Sequence, residues 1–121
     1  MCFAGGMDVS GLEPIEQTAL LTEYARALDS RAAHPILGDA LAAATVDKIE
    51  FDFAGLGATA SVVALVALRA KMLDERIRAF VAENSGAVVV DRGSGWSRAV
   101  YRAAPSARAD WFSVALTRTD S

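Results

Sequence analysis

The sequence predicts an α/β fold in which N-terminal helices precede one β-α-β unit with parallel strands. Apolar residues recur at helical spacing in three stretches between residues 13 and 83. A run of valines follows the third stretch, and a Gly-x-Gly turn and a second apolar strand come after it. The 121 residues, 53% of them hydrophobic, suffice for one hydrophobic core.

Charge and composition exclude several classes of function. The net charge is −3, from −6 over residues 1–60 and +3 over residues 61–121. The arginines of the basic half are spread over predicted helices and loops, so we expect no nucleic-acid partner. The longest apolar run, residues 62–68, is far short of a bilayer span. Residues 1–6 lack the pattern of a signal peptide, and a lone Cys2, expected to be inert, suits a reducing cytoplasm.

The first helix is predicted over residues 13–30. Its apolar residues follow three- and four-residue spacing, with acidic residues opposite them. Pro14 suits the first turn, where its missing N–H has no helical partner, and Glu13 lies at the positive end of the helix dipole.

A break at His34-Pro35 separates this helix from a second one, predicted over residues 36–49. Gly38-Asp39 supplies a candidate cap for it, and His34 is expected to be a loop residue and not a general base. Residues 51–53 form a short apolar plug. The uncharged, glycine-containing stretch 54–60 is predicted to be a flexible connection, which places a domain boundary at residue 60.

The third helix is predicted from Ser61 as N-cap to a glycine closure at Gly86. Its apolar residues are predicted to share one face, with the charged residues largely outside it. These apolar residues are Leu65, Leu68, Met72, Leu73, Ile77, Phe80 and Val81.

A strand without alternation follows at residues 87–91 and is expected to be buried on both faces, as in parallel sheets. A turn at residues 92–95, a short helix at residues 97–103 and a strand at residues 111–116 complete the β-α-β unit.

The turn carries the candidate site. Asp91, Gly93 and Gly95 form an acid-Gly-x-Gly motif at the end of a buried strand, where doubly wound sheets hold adenosine-containing cofactors. The motif is weak by itself, because Arg98 occupies the position of a third glycine, and an ordinary strand-to-helix turn explains it equally well.

The order of these segments resembles the leucine carboxyl methyltransferase superfamily, in particular the bacterial branch near the tetracenomycin polyketide O-methyltransferases. The resemblance covers residues from about 8 to 116. The segments that carry it are Thr18-Ala19-Leu20-Leu21, residues 24–31, His34-Pro35-Ile36-Leu37-Gly38-Asp39, residues 49–53, residues 66–74, Val88-Val89-Val90-Asp91 and Gly93-Ser94-Gly95.

The resemblance implies a Rossmann-like class I methyltransferase fold that transfers a methyl group from S-adenosylmethionine to a carboxylate or hydroxyl of a small molecule. It implies that Arg69 pairs with the cofactor's methionyl carboxylate, although by spacing alone Arg69 is a solvent-facing helix charge. It also implies that Asp91, Gly93 and Gly95 form the cofactor loop. Residues 1–60 would be a helical cover and residues 61–121 a partial cofactor-binding unit.

The resemblance gives weaker support for residues close to the substrate. Tyr24 and Arg26 lie in helices that, in this superfamily, cover the cofactor and substrate, although for Tyr24 the interpretation as a core residue is favoured. No catalytic residue and no metal ligand are predicted.

The sequence departs from the superfamily near its end. The second strand lacks the acids expected at Ser113 and Ala115, one of which normally binds the adenosine ribose. Only two of seven strands are present, so we expect a truncated chain of doubtful activity. The alternative is a non-catalytic helical interaction module, for instance a homodimer that buries the apolar stripe of the helix over residues 62–83 and the sheet edge between its copies. Whether a companion chain supplies the missing strands stays open. A nucleotide-binding Rossmann domain is disfavoured by the missing glycine and acid.

Overall fold

The computed structural model describes residues 7–8, 11, 13–92, 102 and 110–114, and these contain both helices and parallel strands. These helices and two short pairs of parallel strands are compatible with the incomplete α/β fold predicted from the sequence, and the Rossmann-like unit stays a prediction. The elements are β1 (Met7–Asp8), α1 (Pro14–Arg31), α2 (Ala40–Val46), β2 (Ile49–Glu50), a 3-10 turn (Phe53–Leu56), α3 (Ala60–Glu83), β3 (Val88–Arg92) and β4 (Asp110–Val114).

The chain divides into two compact units, Met1–Lys71 and Met72–Ser121. The division falls inside α3, whereas the sequence analysis placed a boundary before that helix, at residue 60. The assignment of a cover and a cofactor-binding part to the two sides of residue 60 stays a prediction. Among the described residues, no helix is both long and apolar enough to cross a membrane.

Helix α1 begins and ends within one residue of the predicted bounds. Its buried side packs against α2 in the first unit, where Ala27, Ala42 and Val46 form the centre of a small core. Tyr24 and Phe53 pack against that centre. The centre of this core therefore consists of small side chains, and the two aromatic rings enlarge it.

Helix α2 is shorter than the predicted helix over residues 36–49, and that prediction is wrong at both ends. Gly38 takes a left-handed φ of 74°, which interrupts any helix begun before it. Asp39 then caps α2, because its carboxylate accepts a hydrogen bond from the Ala42 amide at 3.2 Å, as the sequence analysis expected of this residue.

Past α2, the chain forms strand β2 where the sequence predicted the end of a helix. Ile49 of β2 is buried and pairs in register with Met7 of β1, and the two strands are parallel. The predicted apolar plug follows: the rings of Phe51 and Phe53 meet edge to face, with their centroids 5.6 Å apart.

Helix α3 begins at Ala60, so Ser61 is inside the helix and the prediction of Ser61 as N-cap is wrong. Thr59 takes the capping role, since its hydroxyl accepts a hydrogen bond from the Val62 amide at 3.3 Å. The helix ends where predicted, and Gly86 closes it with a φ of 77°.

The apolar residues of α3 do not share one buried face. Ala67 and Val81 are buried, and Ile77 is half-buried. The other large apolar side chains of the predicted stripe are exposed by about half or more of their surface: Leu65, Leu68, Met72, Leu73 and Phe80. Helix α3 therefore carries apolar residues on opposite sides, a pattern typical of a helix covered on both sides.

In the second unit, β3 and β4 are parallel, which confirms the predicted pairing. The prediction that the first of these strands is buried on both faces is wrong for the described chain. Val88 and Val90 of β3 and Phe112 of β4 are each more than half exposed. A parallel strand is buried on both faces only where a layer covers each side, and this face of the pair lies open.

The helix predicted at residues 97–103 lies outside the described residues except for Arg102. Arg102 forms two hydrogen bonds with the buried carboxylate of Asp74 on α3, the shorter one 2.6 Å long. Arg78, one turn later, donates a hydrogen bond to the carbonyl of Arg102 at 2.8 Å. These contacts fasten Arg102 to the second half of α3.

Candidate cofactor-binding site

Asp91 lies at the carboxyl end of strand β3, in the position that the acid-Gly-x-Gly motif predicts. It is the fourth of five residues in the strand, is half-buried, and pairs in register with Ser113 of β4. In open parallel sheets, ligands bind at the carboxyl ends of the strands, so this carboxylate is suitably placed for a polar ligand group. Gly93 and Gly95 lie outside the described residues.

Arg69 is exposed on α3, in the first unit. Its guanidinium forms no hydrogen bond or ion pair with another described residue. A guanidinium presents a planar fork of donors that matches a carboxylate through two parallel hydrogen bonds. Arg69 is therefore chemically suited to an anionic ligand group, while its exposure is also what an ordinary surface charge would show.

Tyr24 is half-buried on α1 and stacks on Phe53, with ring centroids 4.7 Å apart and an angle of 14° between the planes. The stack belongs to the core between α1 and α2. This placement agrees with the core role that the sequence favours for Tyr24, and its proximity to a substrate stays a prediction.

Arg26 is 6% exposed and lies in a buried network of charges. Its Nη2 donates to Oε2 of Glu23 at 2.8 Å, and its Nε lies 3.5 Å from Oδ2 of Asp39. Both carboxylates are buried as well, so the network joins α1 to the N-terminus of α2. This geometry favours a structural role for Arg26, because a substrate would have to compete with two buried carboxylates.

The sequence analysis missed Asp29, which organises the chain between α1 and α2. Its carboxylate is 3% exposed and accepts three backbone hydrogen bonds, from Ile36 at 2.8 Å and from Leu37 and Gly38 at 3.0 Å each. An acid at a helix end, shortly before an X-Pro break, is the only signal in the sequence for such a turn. This turn precedes Asp39 and so places its carboxylate beside the guanidinium of Arg26.

The structure thus brings the predicted site residues together only in part. Tyr24 and Arg26 belong to the packed interior of the first unit, Arg69 is on its surface, and Asp91 is in the second unit. Within the described part of the chain, no three His, Cys, Asp or Glu side chains are grouped so as to hold a metal ion.

Comparison with known proteins gives one informative relative. The chain is 33% identical over 103 residues to the tetracenomycin polyketide synthesis O-methyltransferase of Streptomyces glaucescens. The match covers 85% of this chain but only 38% of the relative. No family model matches the chain, and no solved structure matches it. The chain therefore has a distant, methyltransferase-like relationship over most of its length, and it spans well under half of the relative.

Proposed function

We propose that this chain binds S-adenosylmethionine and belongs to an O-methyltransferase that acts on a small molecule. The observation that carries the proposal is the 33% identity over 103 residues to an O-methyltransferase. The superfamily resemblance supplies the cofactor, and the name of the relative suggests a polyketide as the methyl acceptor, through a carboxylate or hydroxyl oxygen. The proposed setting is the cytoplasm.

The residues proposed to hold the cofactor are Arg69, Asp91, Gly93 and Gly95. The exposed guanidinium of Arg69 suits the methionyl carboxylate, and Asp91 has the strand-end position that suits the amino-acid part of the cofactor. The two glycines, which carry no Cβ, would let the backbone pass close to the ligand. Taken one by one, the chemistry of Arg69 and of Asp91 suits the proposed group.

The cofactor, when bound, supplies a methyl group that is already activated by its sulfonium. The task of the protein is then to hold donor and acceptor in line, since correct alignment supplies much of the acceleration of such a transfer. A guanidinium and a carboxylate that fix the two charged ends of the amino-acid part would serve this alignment. No general base is required of these residues.

Strand β4 indicates that cofactor affinity is reduced. The superfamily pattern places acids at residues 113 and 115, where this chain has Ser113 and Ala115. Ser113 is the direct neighbour of Asp91 in the sheet register, so the missing carboxylate would have stood beside the one that remains. Without a charged carboxylate at either position, the chain lacks the stronger hydrogen-bond acceptor that the superfamily offers to the ribose.

Calorimetric titration with S-adenosylhomocysteine tests the proposal. Replacing Arg69 with alanine should weaken binding about tenfold or more, since a charge-assisted hydrogen bond contributes about 1.5–3 kcal/mol. Lys71→Ala, which removes another exposed charge of α3, is the matched control and should bind like the wild type. A circular-dichroism melt establishes that each variant is folded. Equal binding by both variants would remove Arg69 from the site, and a folded wild type that ignores the ligand would refute cofactor binding.

A further inference from the structure

The second half of α3 carries an exposed face that lies entirely in the second unit. Its members are spaced by three, four or seven positions and so share one side of the helix. We call them the α3 face: Met72, Leu73, Arg76, Ala79, Phe80 and Glu83, all exposed. The three large apolar members are each more than half exposed. Exposed apolar side chains clustered on one side of a helix are typical of an interaction site.

A groove runs along the α3 face, between the helix and strand β3. It has a volume of about 540 Å³ and is lined by Ile77, Val88 and Val89 together with four members of the face. Its floor is apolar and its charged lining residues are Arg76 and Glu83. The surface is therefore shallow, open and mostly apolar, with one charge of each sign beside it.

The sizes and charges of the side chains on this face match those of a second copy of the same face turned end over end. Small Ala79 and large Phe80 are adjacent in the C-terminal half of this face, and Arg76 and Glu83 lie at equal sequence distances on either side of them. At 1.5 Å per residue, each charge is about 5 Å along the axis from the midpoint between Ala79 and Phe80. Neither charge forms an ion pair with another described residue.

We infer that the α3 face is a two-fold interface between two copies of this chain. In an antiparallel pair of helices related by a two-fold axis at that midpoint, Phe80 packs on the partner's Ala79. Arg76 then faces the partner's Glu83, and the symmetric contact repeats this pair. A large side chain opposite a small one, and opposite charges in both symmetric pairs, give residues 76–83 the shape and charge complementarity of a two-fold contact.

The occupant is a second copy because the complementarity is internal to one face. A different protein that docks here would need no relation between Arg76 and Glu83, whereas a two-fold axis requires that they match. The inference does not depend on the proposed methyltransferase function, since Arg69 and Asp91 are not members of the α3 face.

Sedimentation equilibrium of the full chain tests the inference through charge reversal. Arg76→Glu places two like charges opposite each other in both symmetric pairs, and Glu83→Arg does the same with the opposite sign. Each variant should weaken dimerisation about tenfold, the change expected when two exposed pairs turn from attraction to repulsion. Lys71→Glu reverses a charge of α3 outside the face and should leave the dimer unchanged.

Mixing the two variants provides the sharpest test. A chain with Arg76→Glu and a chain with Glu83→Arg restore opposite charges in both pairs, so the mixture should form a heterodimer of about wild-type affinity, tighter than the homodimer of either variant. Surface charge changes of this kind leave the fold intact, which circular dichroism verifies. A wild type that is monomeric at its highest soluble concentration would overturn the inference. A dimer whose affinity is unchanged by both charge reversals would also overturn it, as would a mixture of the two variants that stays monomeric. Titration with S-adenosylhomocysteine is a separate test, which concerns cofactor binding alone.

Discussion

Replacing Asp29 with alanine should be among the most destabilising single changes in the first unit. The carboxylate of Asp29 is buried and is the acceptor for three consecutive backbone amides in the turn between α1 and α2. Alanine leaves all three donors without this acceptor and frees the turn that positions Asp39. Asparagine retains one acceptor oxygen but places an amide group, itself a donor, against at least one backbone N–H.

The geometry gives the size of the effect. The turn is partly exposed, since Ile36 and Gly38 reach solvent, so water can satisfy some of the released amides. Each bond is therefore assigned the lower end of its range, about 1 kcal/mol, for a total of about 3 kcal/mol. Alanine returns about 0.5 kcal/mol through its higher helix propensity at the end of α1. The expected net loss is about 2.5 kcal/mol for Asp29→Ala and about half of that for Asp29→Asn.

Urea unfolding of the full chain, followed by far-ultraviolet circular dichroism, measures these losses. Asp47→Ala is the matched control, because Asp47 forms a 2.6 Å ion pair with Arg31 but the two side chains are 69% and 43% exposed. An exposed pair of this kind contributes about 0.5 kcal/mol or less. The reasoning fails if Asp29→Ala costs no more than Asp47→Ala, or if the asparagine variant is as unstable as the alanine variant.

Two further changes test the first unit and the start of α3. Arg26→Met should lower the free energy of unfolding by about 3 kcal/mol, because it leaves the carboxylates of Glu23 and Asp39 buried without their cation. Adding Glu23→Gln should recover part of this loss in the same urea assay, and a double variant no more stable than the single one would contradict the network. Thr59→Ala should cost about 1 kcal/mol through loss of the N-cap. Ser61→Ala, inside the helix, should be neutral or slightly stabilising in thermal melts; the opposite order would restore Ser61 as the cap.

Features governed by local signals were predictable from the sequence. The bounds of α1 follow from a proline in its first turn and from regular apolar spacing. The end of α3 follows from Gly86, which takes the left-handed conformation that closes the helix. The parallel pairing of β3 with β4 follows from two strand patterns separated by a helix-length segment, a connection that brings strands together in the same direction.

Features that depend on distant partners were not predictable. Helix α2 begins late because Asp29 holds residues 36–38 in a turn, and no spacing rule reveals that one carboxylate will accept three amides. Strand β2 consists of two residues and exists through its pairing with β1. A two-residue strand carries no periodic signal, and the helical pattern before it continues into the same residues.

The same limitation governs the candidate site, because a sequence does not distinguish an arginine that binds a ligand from one that binds its own protein. Arg26 and Arg69 both lie on predicted helices, at positions that match one superfamily. Burial separates them: Arg26 is enclosed with two carboxylates, whereas Arg69 is exposed on α3. A buried arginine with its charge already compensated gains little from a ligand carboxylate, while an exposed one forms new charge-assisted bonds with it. Of the two, Arg69 is therefore the residue whose replacement should change ligand binding, and Arg26 the one whose replacement should change stability.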